Sequence, residues 1–164
     1  MTPPTVIGID PGVTGAVFCL HADTGDIIWW EDMPLDEGRA DVLALVDLLA
    51  PEQAQMVAVE RPYFPAGRKD ADTQWWNYHA CVAAVRLAQI PLTTVAASVW
   101  VKADPSLYVA PGEHATKAQH ARAVKARRRA RATELYPAHA DLFARAKDDG
   151  RADACLIARW AWSQ

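Results

Sequence analysis

The sequence predicts an α/β domain in which helices pack on a mixed β-sheet. Short runs of β-branched and apolar residues alternate with segments of helical periodicity, after an initial hairpin. The chain has 164 residues, of which 51% are hydrophobic and 23% are charged. This length and composition predict one globular domain over residues 1–164 with a sizeable core.

Three strands are predicted near the N-terminus. Residues 5–10 form a β-branched run that stops at a Pro-Gly pair, as a buried strand does when it enters a turn. Residues 16–21 fit a second strand. The turn-forming residues 23–26 then separate this strand from a third one that starts at Ile27.

Helices and strands alternate through the middle of the chain. Residues 39–50 place apolar side chains at helical spacing, and residues 56–60 form another short buried strand. The segment 61–72 contains prolines and a glycine, which predict a loop. A long helix over 73–89 and a strand over 92–97 are expected to follow.

The C-terminal third is predicted to be mostly helical. Residues 102–112 contain two prolines and are expected to be irregular and exposed. Helical spacing resumes over 116–135, and a last helix is expected from Lys147 or Asp148 to Trp162. Strands that alternate with helices favour a mixed sheet covered by helices.

Several acidic residues stand at element ends, where a rigid scaffold can direct side chains toward one point. Asp10 ends the first strand and Glu60 ends the fourth. Asp149 and Asp153 are one helical turn apart, so both carboxylates lie on the same face. Converging carboxylates repel one another, and a divalent cation removes this conflict. Mg²⁺ and Mn²⁺ prefer hard oxygen ligands such as carboxylates. Two such ions about 3.5 to 4 Å apart can catalyse phosphodiester hydrolysis.

Each acid also has a purely structural interpretation. Asp10 before Pro-Gly is typical of turn chemistry, and Glu60 is compatible with an exposed strand end. Asp148 and Asp149 suit the first turn of a helix, where acids interact favourably with the helix dipole. Asp153 differs, because it lies among apolar residues where an unpaired acid is costly. The joint placement of the acids therefore favours a metal site more than any single acid does.

Three motifs occur in order along the chain: Ile7-Gly8-Ile9-Asp10-Pro11-Gly12, Val59-Glu60-Arg61-Pro62 and Arg151-Ala152-Asp153-Ala154-Cys155-Leu156-Ile157-Ala158. In their order and spacing they resemble the RuvC family of Holliday junction resolvases, over nearly the whole chain. The resemblance implies a ribonuclease H-like fold, a homodimer and Mg²⁺-dependent nicking of paired strands near a four-way DNA junction.

The resemblance also implies positions for the catalytic acids and metal ligands. The family's Asp, Glu and final Asp correspond to Asp10, Glu60 and Asp153. In many members an Asp or His stands three positions before the final Asp, and this chain has Gly150 there. Asp149 is the expected fourth ligand, since one helical turn brings it to the same face, and Asp148 is the alternative.

A strongly basic segment precedes the last helix. It contains no acid and seven basic residues: Lys117, Arg122, Lys125, Arg127, Arg128, Arg129 and Arg131. A solvated helix face usually mixes both charge signs, so this pattern favours contacts with DNA phosphates. The RuvC family has lysines beside the active site, and Lys102 and Lys117 are the corresponding candidates here.

Two groups of aromatic residues also have candidate roles. Tyr63 and Phe64 follow the fourth strand, where the family carries an aromatic that stacks on bases opened at the junction centre. Packing within the loop is the competing interpretation. Trp75, Trp76 and Tyr78 begin the helix that forms much of the family's dimer interface, although an ordinary core helix has a similar composition.

Composition excludes several other classes of protein. The net charge of −3 argues against a uniformly basic DNA-coating protein, and three separated cysteines predict neither a disulfide framework nor a zinc site. No apolar run reaches the ~20 residues of a membrane span, and no signal segment is evident.

We therefore expect a soluble protein in the cytoplasm of a bacterial or phage-infected cell, with branched DNA and a second copy as partners. A broader branched-DNA or RNA/DNA-hybrid nuclease and a non-catalytic branched-DNA binding protein are the alternatives.

Overall fold

The computed structural model describes residues 4–52, 54–63, 71–113 and 116–164. The strands are β1 (Thr5–Asp10), β2 (Ala16–His21), β3 (Ile27–Asp32), β4 (Leu35–Asp36), β5 (Arg39–Ala40), β6 (Ala54–Arg61) and β7 (Leu92–Ala96). The helices are α1 (Val42–Leu49), α2 (Ala71–Leu87), α3 (Ala97–Ala103), α4 (Lys117–Leu135) and α5 (Asp149–Trp162). Short 3₁₀ turns lie at Pro105–Leu107, Pro111–Glu113, Pro137–Phe143 and Ala146–Asp148.

Five of the described strands form a mixed sheet in the order β3-β2-β1-β6-β7. β2 is antiparallel to both β1 and β3, whereas β6 is parallel to both β1 and β7. The central position of β1 explains its apolar sequence, since Ile7 and Ile9 are fully buried. A mixed sheet flanked by helices confirms the predicted fold class.

Helices cover both faces of the sheet. On one face, Ile7 of β1 packs in a cluster with Leu45 of α1 and Cys81 of α2. On the other face, α5 crosses β1 closely, because Gly8 has no Cβ that would collide with the backbone of Ala158. α4 in turn packs against α5. This layering places the two C-terminal helices over the edge where β1 and β6 end.

The first helix starts later than the periodicity predicts. α1 begins at Val42 because Asp41 caps it, accepting hydrogen bonds from the backbone N–H groups of Leu43 (2.9 Å) and Ala44 (3.2 Å). The predicted helical start at Arg39 is therefore wrong, and this residue pairs in the small β4–β5 ladder.

The segment after β7 is also more regular than predicted. The sequence predicts irregular structure from Lys102 onward, but α3 covers Ala97–Ala103 and carries Lys102. Trp100, which is 1% exposed, anchors this short helix in the core. None of the described helices is long and apolar enough to cross a membrane.

Candidate active site

Asp10 and Glu60 lie at the same edge of the sheet. The parallel register pairs Ile9 of β1 with Val59 of β6, so the residue that follows in each strand reaches that edge. Oδ1 of Asp10 accepts a hydrogen bond from the backbone N–H of Gly12 (3.1 Å). The two carboxylates thus lie where the strand ends predict them.

Glu60 is held by a residue of α3 that the sequence prediction assigned no role. The indole Nε1–H of Trp100 donates a hydrogen bond of 2.7 Å to Oε2 of Glu60. The only sequence signal is a tryptophan in an apolar stretch, because a buried indole N–H usually needs a partner. Trp100 therefore fixes the orientation of Glu60, one residue before the end of β6.

Burial and mutual repulsion raise the pKa of the strand-end carboxyls. Burial, followed by the charge of Asp153, raises the pKa of Asp10 to about 7. Burial, followed by the charges of Asp10 and Asp153, raises the pKa of Glu60 to about 8. These shared effects show that the three carboxyls, here called the acid cluster, lie within electrostatic reach of one another.

Asp153 joins the acid cluster from helix α5. Its Oδ2 accepts a hydrogen bond of 2.7 Å from Nη1 of Arg128. Its Oδ1 is buried and makes no hydrogen bond with the described residues. Burial raises the pKa of Asp153, and the neighbouring Arg128 charge opposes this effect.

Asp149 lies one turn before Asp153 on α5 and has different partners. Its carboxylate accepts a hydrogen bond from Nη1 of Arg129 and forms an ion pair of 3.0 Å with Nζ of Lys125. The charge of Asp149 also raises the pKa of Asp153, so the two acids share a face as the spacing predicts.

Gly150 explains why the chain carries no acid three positions before Asp153. A Cβ at Gly150 would collide with the carbonyl oxygen of Thr14 in the β1–β2 loop. Gly15 of this loop is similarly close to the backbone of Asp10. The N-terminus of α5 therefore packs directly on the loop behind Asp10, and no side chain fits at position 150.

Asp148 belongs to a separate ion-pair network. Its carboxylate accepts hydrogen bonds from the backbone N–H and the guanidinium of Arg145 (both 2.9 Å). Burial raises the pKa of Asp148, but the hydrogen bonds from Arg145 outweigh it and the pKa is lowered. Arg151 lies 3.6 Å from the same carboxylate, binds Asp32 through two hydrogen bonds and stacks over Trp30. These contacts give Asp148 a structural role at the start of α5.

Most of the basic side chains on α4 are paired with acids. The pairs are Lys125–Asp149, Arg127–Glu134, Arg128–Asp153, Arg129–Asp149 and Arg131–Asp104. Lys117 and Arg122 are exposed, as is Lys102 on α3. The charge run thus contains two kinds of cation, those that neutralise acids of the domain and those that face solvent.

A cleft opens beside the strand-end acids. Its walls include Asp10, Gly12, Glu60 and Tyr63. Tyr63 is 85% exposed, so its ring is available at the mouth of this cleft. The other aromatic predicted to stack on bases, Phe64, lies outside the described residues.

On α2, the aromatic residues predicted for a dimer interface divide into two groups. Trp75 and Trp76 are 41% and 49% exposed, whereas Tyr78 is buried in the core. Leu43 of α1 is 75% exposed as well. Exposed apolar side chains therefore occur on both α1 and α2.

The donor atoms of the acid cluster are carboxylate oxygens, which are hard ligands. Among the described residues, no group of three or more His, Cys, Asp or Glu side chains is already arranged to hold a metal ion. One carboxylate oxygen of Asp153 is engaged by the guanidinium of Arg128.

Comparison with solved structures identifies the fold. RuvC of Thermus thermophilus, solved in complex with a Holliday junction substrate, is 18% identical, with a TM-score of 0.58 over 95% of this chain and 90% of that chain. A second structure of Thermus thermophilus RuvC gives 18% identity and a TM-score of 0.59 over 95% and 92% of the two chains. This chain has a RuvC-like fold.

The RuvC-like fold confirms the ribonuclease H-like architecture that the three motifs imply. No family model and no curated protein matches the sequence. The likeness therefore resides in the three-dimensional arrangement of the chain.

Proposed function

We propose that the chain is a divalent-metal-dependent DNA endonuclease that cuts four-way junctions by paired nicks. The observation that carries this proposal is the acid cluster, in which Asp10 and Glu60 lie at the ends of neighbouring parallel strands and Asp153 of α5 lies within electrostatic reach of both. This arrangement occurs in a RuvC-like fold. One of the structures with this fold is a complex of RuvC with a Holliday junction substrate.

The residues present suit one or two ions of Mg²⁺ or Mn²⁺. Asp10, Glu60 and Asp153 would be the ligands, with Asp149 as the fourth, because the charge of Asp149 reaches Asp153, whereas Asp148 is buried against Arg145. Raised pKa values and the buried Oδ1 of Asp153 indicate carboxylates that need positive charge. When bound, such ions activate a water molecule and stabilise the oxygen that leaves in phosphodiester hydrolysis.

The protein's own residues would bind and orient the DNA. Lys102, Lys117 and Arg122 are exposed cations that can contact phosphates without reading sequence. Tyr63 lines the same cleft as Asp10, which suits stacking on an unpaired base near the scissile phosphate. These positions favour a branched substrate with opened bases over an intact duplex.

A homodimer would supply the second active site that paired nicking requires. The exposed Trp75 and Trp76 on α2 and Leu43 on α1 are suitable interface residues, because aromatic side chains contribute strongly to protein contacts. We expect the enzyme to act in the cytoplasm of a bacterial or phage-infected cell.

Cleavage of a four-way junction, a three-way junction, a flap and a linear duplex, each with Mg²⁺ and with Mn²⁺, tests this proposal. We expect the four-way junction to be cut fastest and in both of two opposed strands. Equal rates on all four substrates would instead indicate a broader nuclease, and tight binding without cleavage would indicate a branched-DNA binding protein.

A further inference from the structure

A guanidinium lies within the acid cluster. Nη1 of Arg128 is 2.7 Å from Oδ2 of Asp153, and the two side chains are only 19% and 18% exposed. The guanidinium carbon lies 4.8 Å from the centroid of the Trp100 ring. The same indole donates its hydrogen bond to Glu60. Arg128 is therefore held between the acid of α5 and the tryptophan that orients the acid of β6.

The position of Arg128 sets it apart from its neighbours on α4. Arg127 pairs with Glu134 on the same helix, at a distance of 2.7 Å, and Glu134 is no member of the acid cluster. The charge of Arg128, in contrast, lowers the pKa of Asp10 and Glu60 as well as that of its direct partner Asp153. Lys125, which pairs with Asp149, adds a smaller effect of the same sign on Asp10 and Asp153. One side chain thus supplies positive charge to the whole cluster.

The contact between Arg128 and Asp153 leaves one polar atom of each side chain without a hydrogen bond to the described residues. Nε of Arg128 and Oδ1 of Asp153 are buried and hydrogen-bond to none of the residues that the structure describes. Buried polar atoms without partners are unfavourable. A cation that could engage both oxygens of Asp153 would therefore compete effectively with the guanidinium.

We propose that Arg128 is a built-in counter-cation, which neutralises Asp153 when no divalent ion is bound and which a divalent ion displaces. This inference rests on the proposed function, because it requires the acid cluster to bind such an ion. A divalent ion near Oδ2 of Asp153 would stand beside a guanidinium, and like charges at short range repel strongly away from bulk water. An ion that engages both oxygens of Asp153 therefore competes with the Arg128 contact.

Calorimetric titration of the full chain with Mn²⁺ tests the competition. Arg128→Gln removes the charge and keeps a polar side chain, and Arg127→Gln is the matched control one position away. We expect R128Q to bind Mn²⁺ roughly tenfold more tightly than the wild type, a coupling of the usual size between linked sites. R127Q should bind Mn²⁺ with the wild-type affinity.

Thermal unfolding provides a second readout that a merely structural arginine would not give. In EDTA, R128Q should melt below the wild type, because Asp153 is left without its counter-charge. At saturating Mn²⁺ this difference should disappear, because the ion replaces the guanidinium. Equal Mn²⁺ affinities, or a difference in melting that persists with Mn²⁺, would overturn the inference and leave the metal site intact.

Two further outcomes separate this inference from the proposed function. A wild type that binds no Mn²⁺ would overturn both. Should R128Q fail to fold, the Nε–H signal of Arg128 in the wild type, assigned with Arg128→Lys, can be followed by ¹⁵N NMR. A change of this signal on addition of Mg²⁺ supports displacement, and an unchanged signal at saturating Mg²⁺ contradicts it.

Discussion

Raising the pH should destabilise the metal-free protein through two carboxyls of the acid cluster. The pKa of Asp10 rises from its ordinary 3.8 to about 7 on folding, and that of Glu60 rises from 4.5 to about 8, chiefly because both are buried. Between the unfolded and the folded pKa of each group, the folded protein holds a proton that the unfolded chain has released. Stability therefore decreases across this window as the pH rises, and the decrease is complete only above the folded pKa.

The size of the effect follows from the pKa differences. One pH unit of difference corresponds to about 1.4 kcal/mol, so either carboxyl alone would contribute on the order of 4 kcal/mol. Asp10 and Glu60 are also coupled, because the charge of Asp10 raises the pKa of Glu60. The two protons are therefore released in coupled steps, and the total loss is a property of the pair.

Urea denaturation in EDTA, followed by tryptophan fluorescence from about pH 5 to about pH 8.5, measures this loss as a change in the free energy of unfolding. Glu60→Gln should flatten the profile because it removes one of the buried carboxyls with a raised pKa. Asp47→Asn, a change at an exposed acid of α1, should keep the wild-type slope. A wild-type stability that is constant or rises over this range, or an equal slope in E60Q, would contradict the raised pKa values of the buried carboxyls.

Three other changes test the roles assigned to individual residues. Gly150→His should lower the free energy of unfolding by at least about 2 kcal/mol in urea denaturation, because the side chain must displace the β1–β2 loop. A variant with the stability of the wild type would contradict the close packing at this position. Asp148→Asn should lower the melting temperature and leave the Mn²⁺ affinity unchanged in calorimetry. Asp149→Asn should instead weaken Mn²⁺ binding. The reverse pattern would make Asp148 the ligand. Changing both Lys117 and Arg122 to Ala should weaken junction binding. It should also reduce by about two the slope of the logarithm of the binding constant against the logarithm of the salt concentration. An unchanged slope would mean that neither residue contacts DNA.

The acids at the strand ends could be predicted from the sequence because their position depends on local pattern. A β-branched run that ends in an acid predicts a strand whose last side chain lies at the sheet edge, and this holds for Asp10 and Glu60. The shared face of Asp149 and Asp153 likewise follows from helical spacing alone.

The surroundings of these acids could not be predicted, because they depend on contacts distant in the sequence. The hydrogen bond from Trp100 to Glu60 joins residues 40 positions apart, and that from Arg128 to Asp153 joins residues 25 positions apart. A run of basic residues predicts a positively charged segment, but it does not predict which arginine contacts the acid cluster. The tight packing of Gly150 is similarly set by a loop at the other end of the chain.

The proposed function requires Asp153 to belong to the metal-binding catalytic site of a junction-cutting enzyme. It is tested by the cleavage and binding of a labelled four-way junction by Asp153→Asn in Mg²⁺. The matched control is Asp23→Asn, a change at an exposed acid in the β2–β3 turn, at the sheet edge opposite Asp10. We predict that D153N cuts at least about 10³-fold more slowly than the wild type and still binds the junction, whereas D23N does both normally. Cleavage by D153N at a rate close to that of the wild type would contradict the catalytic role of the acid cluster.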